Sequence, residues 1–136
     1  MRSAAVAMTV CAATALAGCS GSARDQIQAK VQQLAQAVSD HDYKSICDQI
    51  LAPSLVAHLV RNQISCEEAM RVALSSVHDP VISIGKIEVS GRRATVITLT
   101  VARGQRASLA ALELLDTGQG WRISSLGSLT AGAAAG

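Results

Sequence analysis

Aromatic side chains are almost absent from this 136-residue sequence, which has one Tyr, one Trp and no Phe. Its core must therefore be built from Leu, Ile, Val, Ala and Met. Nucleic-acid binding usually needs a basic stripe with stacking aromatic rings, yet the 12 basic residues are nearly balanced by 10 acidic ones. We therefore expect no nucleic-acid partner. The apolar stretch 4–16 has 13 residues, which is too short for a membrane-spanning helix of about 20 residues.

Residues 1–18 have the pattern of a secretory signal peptide. Arg2 supplies the positive start, and the apolar stretch matches the about 7–15 residues typical of such signals. Removal of this signal would leave 118 residues with 11 basic and 10 acidic side chains. That length suits a single domain.

The segment that follows, Leu16-Ala17-Gly18-Cys19, resembles the lipobox of bacterial lipoproteins. The resemblance implies cleavage before Cys19, acylation of its thiol, and attachment to membrane lipid on the extracytoplasmic face of the cell membrane. Two acyl chains would hold the protein where one would not. Residues 19–23 would then form the lipidated cysteine and a flexible tether. The alternative is an ordinary signal cut after Ala15-Leu16-Ala17, which would release the protein without lipid.

Two cysteines remain for the domain itself, because Cys11 leaves with the signal and Cys19 takes the lipid. An even pair in an oxidising compartment predicts a disulfide between Cys47 and Cys66. One alternative is a metal or redox site, for which a Cys-x-x-Cys spacing and a nearby His pattern are missing. The other is a pair of buried free thiols. We predict no metal and no other cofactor.

The first half of the domain has the periodicity of helices. One apolar stripe marks the first helix: Ile27, Val31, Leu34 and Val38. Asp42 is placed to cap a second helix, in which Ile46, Cys47, Ile50 and Leu51 share a face. Pro53 suits the first turn of a third helix. Ser65 and Glu68 form a capping box before a fourth.

After Asp79-Pro80 the apolar period changes from 3.6 to 2, which indicates strands. A slip of the apolar phase at Gly85 predicts a β-bulge. The alternation predicts an antiparallel meander with one face covered by the preceding helices. Its four strands are predicted over residues 81–89, 94–101, 108–115 and 121–126. The uncharged residues 127–136 are predicted to be a disordered tail.

Alternation also predicts where single side chains of the strands point. In the second strand, Ile97 and Leu99 share one face, whereas Thr98 lies on the other. Glu113 should face away from its two leucine neighbours. Successive hairpins of a meander lie at opposite ends of the sheet, so the arginines of the first and second turns should form two separate pairs rather than one basic patch.

Helices followed by a bulged meander that ends in Gly120-Trp121-Arg122-Ile123 resemble the nuclear-transport-factor-2-like superfamily. The other matching pieces are residues 42–47, 87–96 and 112–114. The resemblance covers residues 24–126 and implies an α+β domain in which three or four N-terminal helices pack on a curved, cone-like sheet. Secreted members often have a cysteine pair between helices, which Cys47 and Cys66 resemble. Many members have a β-hairpin before their last helix. No strand pattern occurs between Asp40 and Val77, so we predict a shallow pocket or none.

The enzymes of this superfamily, such as ketosteroid isomerases and scytalone dehydratases, place titratable groups in an apolar pocket. No segment here matches their catalytic motifs, so we assign no catalytic residue. The candidates for ligand contact are His58, beside the apolar stripe of its helix, and Trp121. The main prediction for Trp121 is that it anchors the sheet against the helices.

We therefore expect a membrane-anchored, non-enzymatic domain that binds a small apolar ligand or an envelope protein partner. The alternative is a small-molecule enzyme of the isomerase or dehydratase type. A pocket lined by aliphatic side chains would favour the ligand, and a filled interior would favour the partner. Two buried titratable groups facing one deep cavity would favour the enzyme.

Overall fold

The structure, a computed structural model, describes residues 21–129. The predicted signal peptide, Cys19 and residues 130–136 lie outside this range. The fold is α+β, as predicted, with four helices before a four-stranded antiparallel sheet. The helical part comprises α1 (Ala23–Ser39), α2 (Tyr43–Ser45), a π-helical turn (Ile46–Ile50), α3 (Pro53–Arg61) and α4 (Cys66–Ala73). The sheet comprises β1 (Val81–Ser90), β2 (Arg93–Val101), β3 (Ser108–Asp116) and β4 (Trp121–Leu129).

Helix α1 forms where the apolar stripe predicts it. Ile27, Val31, Leu34 and Val38 are buried. Its N-terminus is fixed by Ser22 and Asp25, which bond reciprocally as a capping box. The helix therefore starts inside the segment that we expected to be a flexible tether, since Ser22 already belongs to the cap.

The second helical segment is shorter than predicted. Asp42 caps α2 by accepting a 3.0 Å hydrogen bond from the Ser45 backbone N–H, as expected. The chain then widens into the π-helical turn and becomes extended at Leu51. There the Ala52 N–H donates to the Ile123 carbonyl at 2.7 Å. Leu51 is therefore part of a bridge to the sheet edge rather than of the helix.

Helix α4 has half of the predicted capping box. The Ser65 hydroxyl accepts from the Glu68 backbone N–H at 3.2 Å, but Glu68 does not reach back. Its carboxylate instead pairs with Arg71 one turn later. The predicted disulfide is present and joins Cys47 of the π-helical turn to Cys66, with 6.0 Å between their Cα atoms.

The sheet is a meander with the order β1-β2-β3-β4. The bulge predicted at Gly85 is confirmed, because the register jumps from Ile84 to Lys86 at that point. A second irregularity interrupts the β3–β4 pairing between Glu113 and Leu114. Strand β4 continues to Leu129, three residues beyond its predicted end. The start of the predicted tail is therefore corrected, because residues 127–129 satisfy their backbone groups by pairing with β3.

The two faces of the sheet differ in what covers them. We call the helix-covered side the inner face; Val96, Leu112, Leu114 and Ile123 on it are buried. Thr98 also lies on this side and is 1% exposed, whereas Leu99 on the outer face is 39% exposed. Strand β2 therefore turns Thr98, rather than Leu99, toward the helices. Val96 of β2 pairs with Ile87 of β1 and with Leu112 of β3, and paired residues share a face of the sheet. This register therefore places Val96, and with it Thr98, on the inner face.

Candidate functional site

Helix α3 is the least embedded helix of eight or more residues. None of its side chains is buried. Leu55, Val56 and Leu59 pack partly against the core, and Val60 is 60% exposed. Helix α1, in contrast, buries its complete apolar stripe, and helix α4 buries Cys66 and Met70. Because α3 packs loosely against the rest of the domain, a groove remains along its side.

This groove, which we call the α3 groove, has a volume of about 560 Å³. Its apolar wall is formed by Leu51, Pro53, Val56, Ala57 and Val60. The disulfide-bonded Cys47 lies beside this wall, and three polar residues, Asp48, Arg61 and Arg122, complete the lining. The volume falls within the about 300–1,000 Å³ typical of small-molecule sites, and mostly apolar walls with a few polar groups are also typical of them.

Arg122 brings a positive charge to the α3 groove. It alternates with the buried Trp121 and Ile123 on β4, so its side chain points to the opposite face at the edge of the sheet. One guanidinium N–H donates to the Asp48 carbonyl oxygen at 2.7 Å. Within residues 21–129 no carboxylate forms an ion pair with Arg122, and the Asp48 carboxylate pairs with Lys44 instead. The guanidinium therefore has donors left for an acidic ligand.

A second cation, Lys30 on α1, strengthens the positive field near Arg122. Its ammonium donates to the Gln33 side chain at 2.8 Å and to the Gln49 carbonyl at 3.1 Å. Burial lowers the pKa of Lys30, and the nearby charge of Arg122 lowers it further. Neither cation has an ion-pair partner in the described part of the chain. Lys30 does not line the α3 groove, but its charge adds to the positive potential that an anion at Arg122 would meet.

The two candidates for ligand contact that the sequence suggested, His58 and Trp121, do not line this groove. Trp121 is 5% exposed and belongs to the core, which agrees with its predicted anchoring role. His58 is on α3 but is exposed and does not line the groove. Glu113 points outward, as alternation predicted, and borders a separate cavity of about 210 Å³.

Sequence reasoning missed Arg122 and the apolar wall of α3. A charged residue between two large apolar residues of a strand is a signal for a side chain at the rim of the core. Nothing in the spacing of Val56 and Val60 reveals that their helix packs loosely.

Within residues 21–129, no three His, Cys, Asp or Glu side chains come together in a group that could hold a metal ion. None of the helices in this range has both the length and the apolar character needed to cross a membrane. Comparison with family models, with curated proteins and with solved structures finds no match for this chain.

Proposed function

We propose that this protein is a lipid-anchored domain on the extracytoplasmic face of the cell membrane, and that it binds an apolar molecule with an acidic group in the α3 groove. The observation that carries the proposal is the apolar wall of α3 beside Arg122, a guanidinium without a carboxylate partner among residues 21–129. The anchor would be Cys19, the position that resembles an acylated lipobox cysteine.

The apolar wall and the cation would select different parts of such a ligand. Each methylene transferred from water to the wall contributes about 0.8 kcal/mol, so six buried methylenes give roughly 5 kcal/mol before the cost of association. The acidic group would then fix the orientation through a charge-assisted hydrogen bond to Arg122. A neutral apolar molecule would gain only the free energy of burying its methylenes against the wall. An amphipathic acid therefore suits the groove better than a hydrocarbon.

We also propose membership of the nuclear-transport-factor-2-like superfamily. The order of helices before a bulged meander and the cysteine pair between helical segments support this assignment. In this chain the ligand would bind beside α3 rather than between the helices and the sheet, because large side chains fill that interior.

The ligand proposal can be tested with decanoate and its neutral counterpart 1-decanol as probes. A chain beginning at Ser20, checked for a cooperative thermal transition, is titrated by NMR or calorimetry. We expect decanoate to bind more tightly than 1-decanol. Arg122→Gln should weaken decanoate binding about fivefold, the equivalent of about 1 kcal/mol, and leave 1-decanol binding unchanged.

Two further variants complete the ligand test. Arg24→Gln removes the charge of an exposed arginine on α1 and should change neither affinity. Ala57→Asp places a carboxylate on the apolar wall and should weaken both probes. Equal binding of the two probes, unaffected by Arg122→Gln, would show that no acidic group is recognised. Failure of both probes to bind would reject the groove as a ligand site and favour an envelope protein partner.

The anchor is tested separately, by fractionating cells that produce the wild-type protein or Cys19→Ala. We expect the wild type in the membrane fraction and the variant outside it. A variant that stays in the membrane in uncleaved form would show that the signal itself is the anchor. Wild-type protein released without lipid would show that the chain is cut after Ala15-Leu16-Ala17 instead.

The isomerase or dehydratase alternative requires titratable groups in an enclosed apolar pocket. Among the residues described, His58 and Glu113 are exposed and border no common cavity. We therefore propose a binding role without a catalytic step. A well-folded His58→Ala or Glu113→Gln variant that lost all function in complementation would bring the enzyme alternative to the front.

A further inference from the structure

The β1–β2 hairpin carries two exposed arginines that no carboxylate pairs with. Arg92 donates through Nε and Nη2 to the Asp116 carbonyl oxygen, at 3.2 and 2.8 Å. These bonds hold its guanidinium beside the turn between β3 and β4. Arg93 follows it and is also exposed. The ion pairs formed within residues 21–129 include neither arginine, so both guanidinium groups can bind an external anion.

Both arginines border an open cleft between the β1–β2 hairpin and the start of α3. Its volume is about 610 Å³, and its polar lining also includes Ser54, Asp116 and Thr117. The Asp116 carboxylate accepts a hydrogen bond from the Gly118 backbone N–H at 3.0 Å, which holds it within its own turn. Guanidinium groups match the geometry of phosphate oxygens. The cleft therefore suits a phosphate-bearing ligand better than a neutral one.

Helix α1 begins at the same end of the domain as the β1–β2 hairpin. Its last turn lies at the start of β1, because Ser39 and Val81 line one cavity. Its middle lies near the start of β4, because Lys30 and Arg122 donate to carbonyl oxygens of adjacent residues in the π-helical turn, at 3.1 and 2.7 Å. In the meander, β1 and β4 start at opposite ends. The N-terminus of α1 therefore points toward the end where β4 starts and the β1–β2 hairpin lies.

The proposed anchor lies close to this end, because few residues separate it from the domain. The capping box of α1 begins at Ser22, three residues after Cys19. Three residues span at most about 11 Å, which is close to the Debye length of about 8–10 Å. The β2–β3 hairpin lies at the other end of nine-residue strands, about 30 Å away. A lipid on Cys19 would therefore keep the β1–β2 hairpin, and not the β2–β3 hairpin, within electrostatic range of the head groups.

We infer that the domain lies on the membrane with this end, which we call the basic end, and that Arg24, Arg92 and Arg93 bind the phosphates of anionic phospholipids. Arg24 is in the first turn of α1 and is exposed. The inference rests on the proposed anchor at Cys19. Each arginine near an anionic surface favours contact about fivefold. Asp25 and Asp116 reduce this attraction, although both accept hydrogen bonds from backbone N–H groups of the basic end itself.

The orientation can be measured on the protein as cells produce it, extracted with detergent and reconstituted into vesicles. A fluorophore is attached at Gln119→Cys, in the exposed turn of the basic end, or at Ala107→Cys, in the exposed β2–β3 hairpin. Energy transfer to a head-group-labelled lipid reports the height of each site above the surface. In phosphatidylglycerol vesicles we expect strong transfer from Gln119→Cys and weak transfer from Ala107→Cys. Phosphatidylcholine vesicles, or salt at about 0.5 M, should reduce the transfer from Gln119→Cys.

Charge-removing substitutions test whether the arginines make the contact. In phosphatidylglycerol vesicles, Arg92→Gln/Arg93→Gln should lower the ratio of bound to detached orientations roughly 25-fold, about fivefold for each arginine. Arg103→Gln/Arg106→Gln removes the same charge from the β2–β3 hairpin and should leave the ratio unchanged. Circular dichroism melting curves identify an unfolded variant. If the Arg92→Gln/Arg93→Gln variant is unfolded, Arg93→Gln alone provides the fivefold test.

Three results would overturn the inference: stronger transfer from Ala107→Cys than from Gln119→Cys, equal transfer in anionic and neutral vesicles, or equal effects of the two arginine pairs. Intact-mass analysis of the same preparation distinguishes this from failure of the anchor. A mass without lipid would reject acylation of Cys19. Such protein is then sedimented with both kinds of vesicle, and binding to phosphatidylglycerol that Arg92→Gln/Arg93→Gln removes would still support head-group contact. Equal sedimentation with both kinds of vesicle would reject the contact as well.

Discussion

Reduction of the Cys47–Cys66 disulfide should lower the free energy of unfolding by about 3 kcal/mol. The two cysteines are 19 residues apart, so the bond closes a loop of about 20 residues in the unfolded chain. In the chain-entropy model, opening a loop of that length returns about 11 cal/mol/K to the unfolded state, which is about 3 kcal/mol at 25 °C. Domains of this size have a total stability of about 5–15 kcal/mol. The loss would lower the melting temperature by roughly 10–20 °C.

The native contacts around the bond should change little on reduction. Both cysteines are 7% exposed and lie in the core, and a buried thiol packs much as half of a disulfide does. The effect should therefore come from the unfolded chain, which becomes more expanded. We expect the slope of unfolding free energy against denaturant to rise, because more surface is then exposed on unfolding.

Guanidinium titration of the oxidised and reduced protein measures both quantities. The Cys47→Ala/Cys66→Ala double variant is the control, because it has the open loop and should not respond to the reductant. Its stability should lie near that of the reduced protein. Equal midpoints and equal slopes for oxidised and reduced wild type would refute the reasoning, and would show that the connection between the π-helical turn and α4 is held by packing alone.

Three substitutions test the sheet by thermal or chemical unfolding. Thr98→Val should leave the free energy of unfolding within about 1 kcal/mol of wild type or raise it. The buried Thr98 hydroxyl makes one long hydrogen bond, of 3.4 Å, to a β3 carbonyl oxygen, and a larger loss of stability would show that this bond matters. Trp121→Ala should cost about 3–5 kcal/mol, since the ring is buried in the core, and a cost below about 1 kcal/mol would contradict its anchoring role. Gly127→Ala should cost about 1–3 kcal/mol, because a Cβ there would lie 2.9 Å from a backbone oxygen. Gly85→Ala, whose Cβ would have 3.6 Å of space, is the matched control and should be tolerated; equal effects at both glycines would refute the steric argument.

Local features of the fold could be predicted because they depend on residues close in sequence. The stripe from Ile27 to Val38, the Asp42 cap and the phase slip at Gly85 each use spacings of a few residues, and all three occur in the structure. The pairing of Cys47 with Cys66 followed from counting the cysteines that remain. The capping box at Ser65 was only half correct, because Glu68 could pair with Arg71 as well as with the helix terminus.

The tertiary structure decided features that depend on distant residues. In β2, the alternate residues Ile97 and Leu99 form the more apolar side of the strand. This side faces outward because the pairing with β1 and β3 fixes the register of β2, and both neighbours carry their own large apolar residues on the inner face. Strand β4 reaches Leu129 because β3 offers it backbone partners. The α3 groove exists because α3 packs loosely beside a strand that places Arg122 at its edge. Sequence spacing determines which side chains share a face of one element, but packing against the other elements determines which faces stay open.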